Sequence, residues 1–181
     1  MPTCRAIGRK EKYMIFTEGF RKTSGGFECR GKIYTSFMEM VKEVQGDKFC
    51  AFETEASSTE SYHYSAGLPF VYTDGISELA EKHNCVWLLS VIHSYFGLSK
   101  TYAKVDDRGN ITWLENKNGK DEFLVCFLQK TSENSAVFTI DLDDGDDCKT
   151  VVYQKIPFTD IDIDSLKIYI ENGVVLMPNE R

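Results

Sequence analysis

Histidine and closely spaced cysteine are scarce in this chain, and each scarcity closes a class of function. Of 181 residues, three are histidine (His63, His83, His93) and four are proline. On one unbroken helix, His83 and His93 would sit about 280° apart around the axis. They form no i, i+4 pair of the kind that holds zinc. The six cysteines (4, 29, 50, 85, 126, 148) include no C-x-x-C motif. They are scattered through apolar segments, which predicts free, buried thiols in a reducing cytoplasm rather than disulfides. No apolar run approaches the roughly 20 residues that a bilayer span needs. The opening MPTCRAIGRKEK has no apolar signal core. The Walker, dinucleotide and nucleophile-elbow glycine patterns are missing. Gly25-Gly26 reads as part of a turn, not as a phosphate loop before a helix. No cofactor, metal or internal repeat is expected.

What is present is the material of a globular protein: 42% hydrophobic and 13% aromatic residues, enough for one full core. The net charge of −7 is unevenly spread. Residues 1–50 carry 10 Lys and Arg against 6 Asp and Glu, whereas residues 51–181 carry 11 against 22. The acidic body is not expected to grip nucleic-acid phosphates over a broad face, and a basic protein surface, or solvent alone, suits it better. Nucleic acid is expected only through residues 1–49.

The chain is organised around residues 73–96, TDGISELAEKHNCVWLLSVIHSYF. Thr73 or Asp74 is placed to cap a helix whose one face carries Ile76, Leu79, Ala80 and His83. Beyond Asn84 the apolar residues (Val86, Trp87, Leu88, Leu89, Val91, Ile92) run almost all round, which predicts burial on several sides and a break near Asn84. Upstream, Tyr13 to Phe20 and Phe27 to Tyr34 read as strands joined at 22–26. Ser36 and Glu39 form a capping box for a helix that Gly46 ends. The polar stretch 53–69 reads as a linker or long loop. Downstream, strands are expected at 102–106, 111–114, 123–129, 136–142, 151–156 and 166–171, with Asp164-Ser165 opening a short helix or turn. Asn172-Gly173 makes a strong hairpin signal before VVLM. The fold class is therefore α+β: an antiparallel sheet packed against a central helix, with a small N-terminal strand–strand–helix unit. Two domains are expected, a basic one over 1–49 and an acidic one over 50–181.

Several local motifs recur together from about residue 50 onward. They are Tyr72-Thr73-Asp74-Gly75, Leu79-Ala80, Trp87-Leu88-Leu89, Ile156-Pro157-Phe158-Thr159-Asp160, Leu166-Lys167-Ile168-Tyr169 and Leu176-Met177-Pro178-Asn179-Glu180. Their order and spacing over roughly 130 of 181 residues resemble a family of short bacterial, phage and plasmid proteins known only as a domain of unknown function. Members usually carry an acidic residue where this chain has Ser90. The resemblance brings no catalytic residues. It implies a mobile-element setting, in which small acidic proteins often inhibit host defence.

Candidate sites are therefore surfaces. In Thr159-Asp160-Ile161-Asp162-Ile163-Asp164, an extended backbone would set three carboxylates on one face and two isoleucines on the other. The turn Asp141-Leu142-Asp143-Asp144-Gly145-Asp146-Asp147 departs from a calcium loop, with glycine at its fifth place and Val152 where the closing glutamate should be. Asp143, Asp144, Asp146, Asp147, Asp160, Asp162 and Asp164, with the loop aromatics Tyr62 and Tyr64, are the expected contact residues. The expected activity is non-enzymatic: an anti-CRISPR-like inhibitor docking on a basic, nucleic-acid-handling defence effector in the host cytoplasm. Two alternatives stand beside it. One is a small hydrolase or thiol enzyme using Cys85 with His83 or His63, and the other is RNA binding by residues 1–49.

Overall fold

A computed structural model describes residues 13, 16, 19–55, 58–145 and 148–181. Contacts divide the chain into two units, Met1–Phe52 with Phe127–Leu166, and Glu53–Cys126 with Lys167–Arg181. The architecture is α+β, as the patterning predicts.

The first unit opens on a three-stranded antiparallel meander, β1 (Arg21–Thr23), β2 (Gly26–Cys29) and β3 (Lys32–Tyr34). The run 27–34 is two strands rather than the single one expected. Arg30 (φ 51°) and Gly31 (φ 78°) make a two-residue turn that pairs Cys29 with Lys32. The strand expected over 13–20 does not form at its described residues. Tyr13 lies in a turn and Phe16 is helical. Phe16 and Phe20 instead set their rings against Phe37, at 6.4 and 5.4 Å. Helix α1 (Phe37–Gln45) starts as its capping motif predicts: the Glu39 amide donates to Ser36 Oγ at 3.2 Å. It buries Phe37, Met38, Met40 and Val41, and Gly46 ends it at φ 53°.

Strands β7 (Phe123–Lys130) and β10 (Ser165–Glu171) run through both units. In the first unit, β8 (Ala136–Asp141) lies between β7 and the edge strand β9 (Thr150–Ile156). The alternating pattern expected for β8 gives no exposed face, because every one of its six residues is buried. Asp164-Ser165 leads into strand β10, not into a helix.

In the second unit, β11 (Val174–Leu176) pairs antiparallel with β10 and parallel with β4 (Val71–Tyr72). The sheet is therefore mixed. Strands β5 (Thr101–Val105) and β6 (Ile111–Glu115) form a separate hairpin. Asn172 (φ 52°) and Gly173 (φ 82°) close the β10–β11 hairpin with the left-handed pair that a type I′ turn requires. The 73–96 segment is two helices, α2 (Asp74–Lys82), which packs on β11, and α3 (Val86–Tyr95), broken at Asn84 (φ 52°). Burial of α3 is narrower than its composition suggests: Leu88, Leu89 and Ile92 are buried, but Val86 is 62% exposed and Trp87 and Val91 are half-buried. A ten-residue helix presents one face to its unit, whatever its other faces carry. Of the two expectations for the polar stretch 53–69, the long loop fits its described residues, and it is tied down at His63. His63 and Tyr72 exchange backbone hydrogen bonds at 2.8 and 2.9 Å. No helix among the described residues is long and apolar enough to cross a membrane.

Cys29, Cys85, Cys126 and Cys148 are buried and free, as expected. Cys50 departs from that expectation. It is exposed after the turn that follows α1, and it is disulfide-bonded.

Candidate functional site

The acidic segment of the first unit owes its geometry to a buried lysine. Lys130, at the end of β7, donates its backbone amide to the Asp164 carbonyl at 2.8 Å and its Nζ to the Ile161 carbonyl at 3.0 Å. The Thr159 amide donates to the Asn134 carbonyl at 2.8 Å. These bonds hold 159–164 extended without making it a ladder strand, and the two-residue period follows. Thr159, Ile161 and Ile163 are buried, while Asp160 and Asp162 are exposed. Asp164 departs from the expected row of three. It is half-buried and accepts from the Tyr13 hydroxyl at 3.5 Å. Burial, with Asp164 and Glu133 nearby, pushes the Tyr13 phenol up to about 12. Phe158, beside this row, is 75% exposed. The sequence marks Phe158 only as an aromatic after Pro157 and gives no sign that it points outward.

In the β8–β9 turn, Asp143 is exposed and Asp144 half-buried, and Asp146 and Asp147 lie outside the described residues. Asp141 points inward. Its carboxylate accepts from Ser36 Oγ, from Thr150 Oγ1 at 2.6 Å and from Cys148 Sγ at 3.6 Å. Burial raises its carboxyl above the ordinary value, against those bonds. Burial likewise pushes the Cys148 thiol up to about 11. Among the described residues, no group of three or more His, Cys, Asp or Glu could hold a metal ion.

Tyr62 and Tyr64 belong to the second unit, whereas Asp143, Asp144, Asp160, Asp162 and Asp164 belong to the first. Both are exposed, at 44% and 51%. Tyr62 meets Trp113 edge to face, with ring centroids 6.4 Å apart, on the wall of a cleft of about 530 Å³. Trp113 is itself 45% exposed. It sits against the β10–β11 turn so closely that a Cβ on Gly173 would come within 3.1 Å of its ring. Sequence reasoning missed Trp113 as a site residue, since one aromatic in an alternating hairpin carries no mark of function.

The same cleft holds the N-terminus of α2, capped in an unexpected way. Neither Thr73 nor Asp74 caps it. The Gly75 amide donates to Glu180 Oε1 at 2.8 Å, and the Thr73 hydroxyl and the Met177 amide donate to Glu180 Oε2. The Asp74 amide goes to Thr59 Oγ1 at 3.1 Å. A side chain on Gly75 would strike the Glu180 carboxylate at 2.6 Å. Asp74 turns outward. It accepts from the Glu60 amide at 2.8 Å and pairs with His63 Nε2 at 2.6 Å, bonds that hold its carboxyl below the ordinary value. Two of the recurring motifs, Tyr72 to Gly75 and Leu176 to Glu180, thus form a single hydrogen-bonded cluster.

Of the residues considered for thiol chemistry, Cys85 is 1% exposed and donates its Sγ proton to the Leu79 carbonyl at 3.2 Å. His83 is the C-cap of α2, and His63 is engaged with Asp74. No curated protein and no solved structure matches the chain. A model of the family of unknown function DUF6876 matches residues 51–181, and the chain belongs to that family.

Proposed function

We propose that the chain is a non-enzymatic binding protein of phage or mobile-element type. It inhibits a host defence nuclease, such as a CRISPR effector, by docking on that protein's basic surface in the host cytoplasm. The observation that carries this reading is the Phe158–Asp162 strip. A phenylalanine three-quarters exposed stands beside two outward carboxylates on a segment that Lys130 pins from within. An exposed aromatic side chain is the kind of anchor that fills a partner's pocket, and rim carboxylates steer encounter with a basic groove. Burying one phenylalanine contributes about 1.5–3 kcal/mol, which is roughly a tenfold to hundredfold change in affinity. The test is inhibition of DNA cleavage across a panel of purified defence nucleases. The wild-type chain should inhibit at least one of them. Phe158→Ala should weaken that inhibition by the stated factor, and Asp160→Lys with Asp162→Lys should abolish it while the unfolding transition stays in place. Inhibition of none of the panel, or inhibition that survives all three substitutions, overturns the proposal.

A further inference from the structure

The cleft of the second unit has a composition that the docking strip does not use. Its lining includes Trp113 and Tyr62, whose rings meet edge to face, with Glu171 and with Glu180, which brings a carboxylate. That carboxylate takes its hydrogen bonds from the Gly75 amide, the Met177 amide and the Thr73 hydroxyl, all neutral donors. Among the described residues, no Lys, Arg or His forms an ion pair with it. Three of the roughly four acceptor positions of a carboxylate are filled, and one remains.

The same unit shows what such a combination binds. The guanidinium of Arg181 lies over the ring of Phe123 at 4.6 Å and near that of Tyr169 at 5.7 Å. Its nitrogens reach the Glu171 carboxylate at 3.1 and 3.2 Å. Two aromatic rings and a carboxylate thus receive one planar cation within this unit. Trp113, Tyr62 and Glu180 offer the same set in a cleft that Glu171, the partner of Arg181, also lines. Guanidinium suits it better than ammonium, because it is flat, stacks on rings and is less strongly hydrated. The unit's charge favours a cation as well, with 8 Lys and Arg against 13 Asp and Glu over residues 53–126 and 167–181.

We infer that this cleft takes the guanidinium of an arginine side chain displayed on a protein partner. A chain-borne arginine brings only neutral amides beside its cation. Free arginine has the same net charge but adds an α-ammonium and an α-carboxylate, two charged groups that lose hydration at the cleft's rim. The inference stands on the second unit alone and does not need the strip at 158–162.

The test titrates the full chain with N-acetyl-arginine methylamide and follows the Trp113 indole N–H by NMR, assigned with Trp113→Phe. The neutral citrulline counterpart, of the same shape, and free arginine are titrated beside it. The blocked arginine should shift the Trp113 signal and bind at least tenfold more tightly than the citrulline compound. It should also bind at least threefold more tightly than free arginine. Trp113→Ala should weaken binding at least tenfold when followed by calorimetry. Because Trp113 also packs on the 172–173 turn, Tyr62→Ala serves as a second variant, with an expected loss of at least threefold. Asp160→Lys with Asp162→Lys should leave this affinity unchanged, which separates the cleft from the strip. Equal binding of the citrulline compound, or an unchanged Kd in both aromatic variants, overturns the site. Free arginine binding as tightly as the blocked form overturns the assignment to a protein-borne side chain.

Discussion

Replacing Glu180 by alanine should unlock α2 from a residue about a hundred positions away. The perturbation removes one carboxylate and leaves three donors behind: the Gly75 amide, the Met177 amide and the Thr73 hydroxyl. Hydrogen bonds to a charged acceptor contribute roughly 1.5–3 kcal/mol each, but bonds that share one acceptor do not add in full. Water reaches the half-buried carboxylate and will replace part of what is lost. A loss of roughly 3 kcal/mol is the expectation, comparable with removing an N-cap together with one buried hydrogen bond. For a chain of this length, it corresponds to a fall in Tm of about 6–12 °C. Urea unfolding followed by far-UV circular dichroism measures the free energy, and hydrogen exchange at the Gly75 amide locates it. Glu180→Gln keeps an acceptor for Gly75 and should lose about half as much. Gly75→Ala should behave like the alanine variant, since its Cβ would lie 2.6 Å from Glu180 Oε2 and 2.7 Å from Thr54 Oγ1. A loss below about 1 kcal/mol for Glu180→Ala, with Gly75 exchange unchanged, would refute the cap.

Two further outcomes follow from the first unit and from the thiols. Asp141 has a folded-state carboxyl value above its ordinary one, so its protonated form is favoured on folding. Its contribution to stability is full at low pH and is lost as pH rises through the folded value. The stability of Asp141→Asn relative to wild type should therefore rise as pH increases above the ordinary aspartate value of about 4, read by urea unfolding at several pH values; a pH-independent difference would contradict that account. Native iodoacetamide labelling should leave Cys29, Cys85, Cys126 and Cys148 unmodified, because burial hides them and holds the Cys148 thiol up at about 11. Denaturant alone should expose those four, while Cys50 should label only after reduction. Mass spectrometry of tryptic peptides reads each site, and rapid native labelling of Cys85 would revive the thiol-enzyme alternative.

Local signals carried a good part of the fold. Asn172-Gly173 marks its hairpin because few residue pairs tolerate two successive left-handed conformations, and the turn forms there. Ser36 and Glu39 mark the start of α1 by a contact spanning three residues, and the Glu39 amide does meet Ser36. The alternation of 159–164 fixes which side chains share a face, and the isoleucines are indeed inside. Arg30-Gly31 shows the limit of that approach, since the residues around it read as one continuous strand until the backbone turns.

The candidate sites were less legible. Asp141 and Asp143 are both aspartates of one acidic turn, yet one is buried beneath Ser36 and Thr150 and the other faces solvent. Composition gives both the same expectation, because burial depends on what arrives from elsewhere in the chain. Glu180 as the cap of α2, Trp113 on the Gly173 turn and Lys130 beneath Ile161 are all long-range choices of this kind.

By itself, the order of residues determined the class of fold, the strands with strict alternation, the left-handed turns and the acidic character of the body. These follow from one residue and its near neighbours, where sterics and a two- or four-residue period act directly. Tertiary structure alone decided which carboxylates are spent inside, which donors a helix end receives, and which aromatics are left facing water. Those outcomes depend on desolvation and on partners far along the chain, and a hydrogen bond across a hundred residues leaves no periodic trace in the sequence.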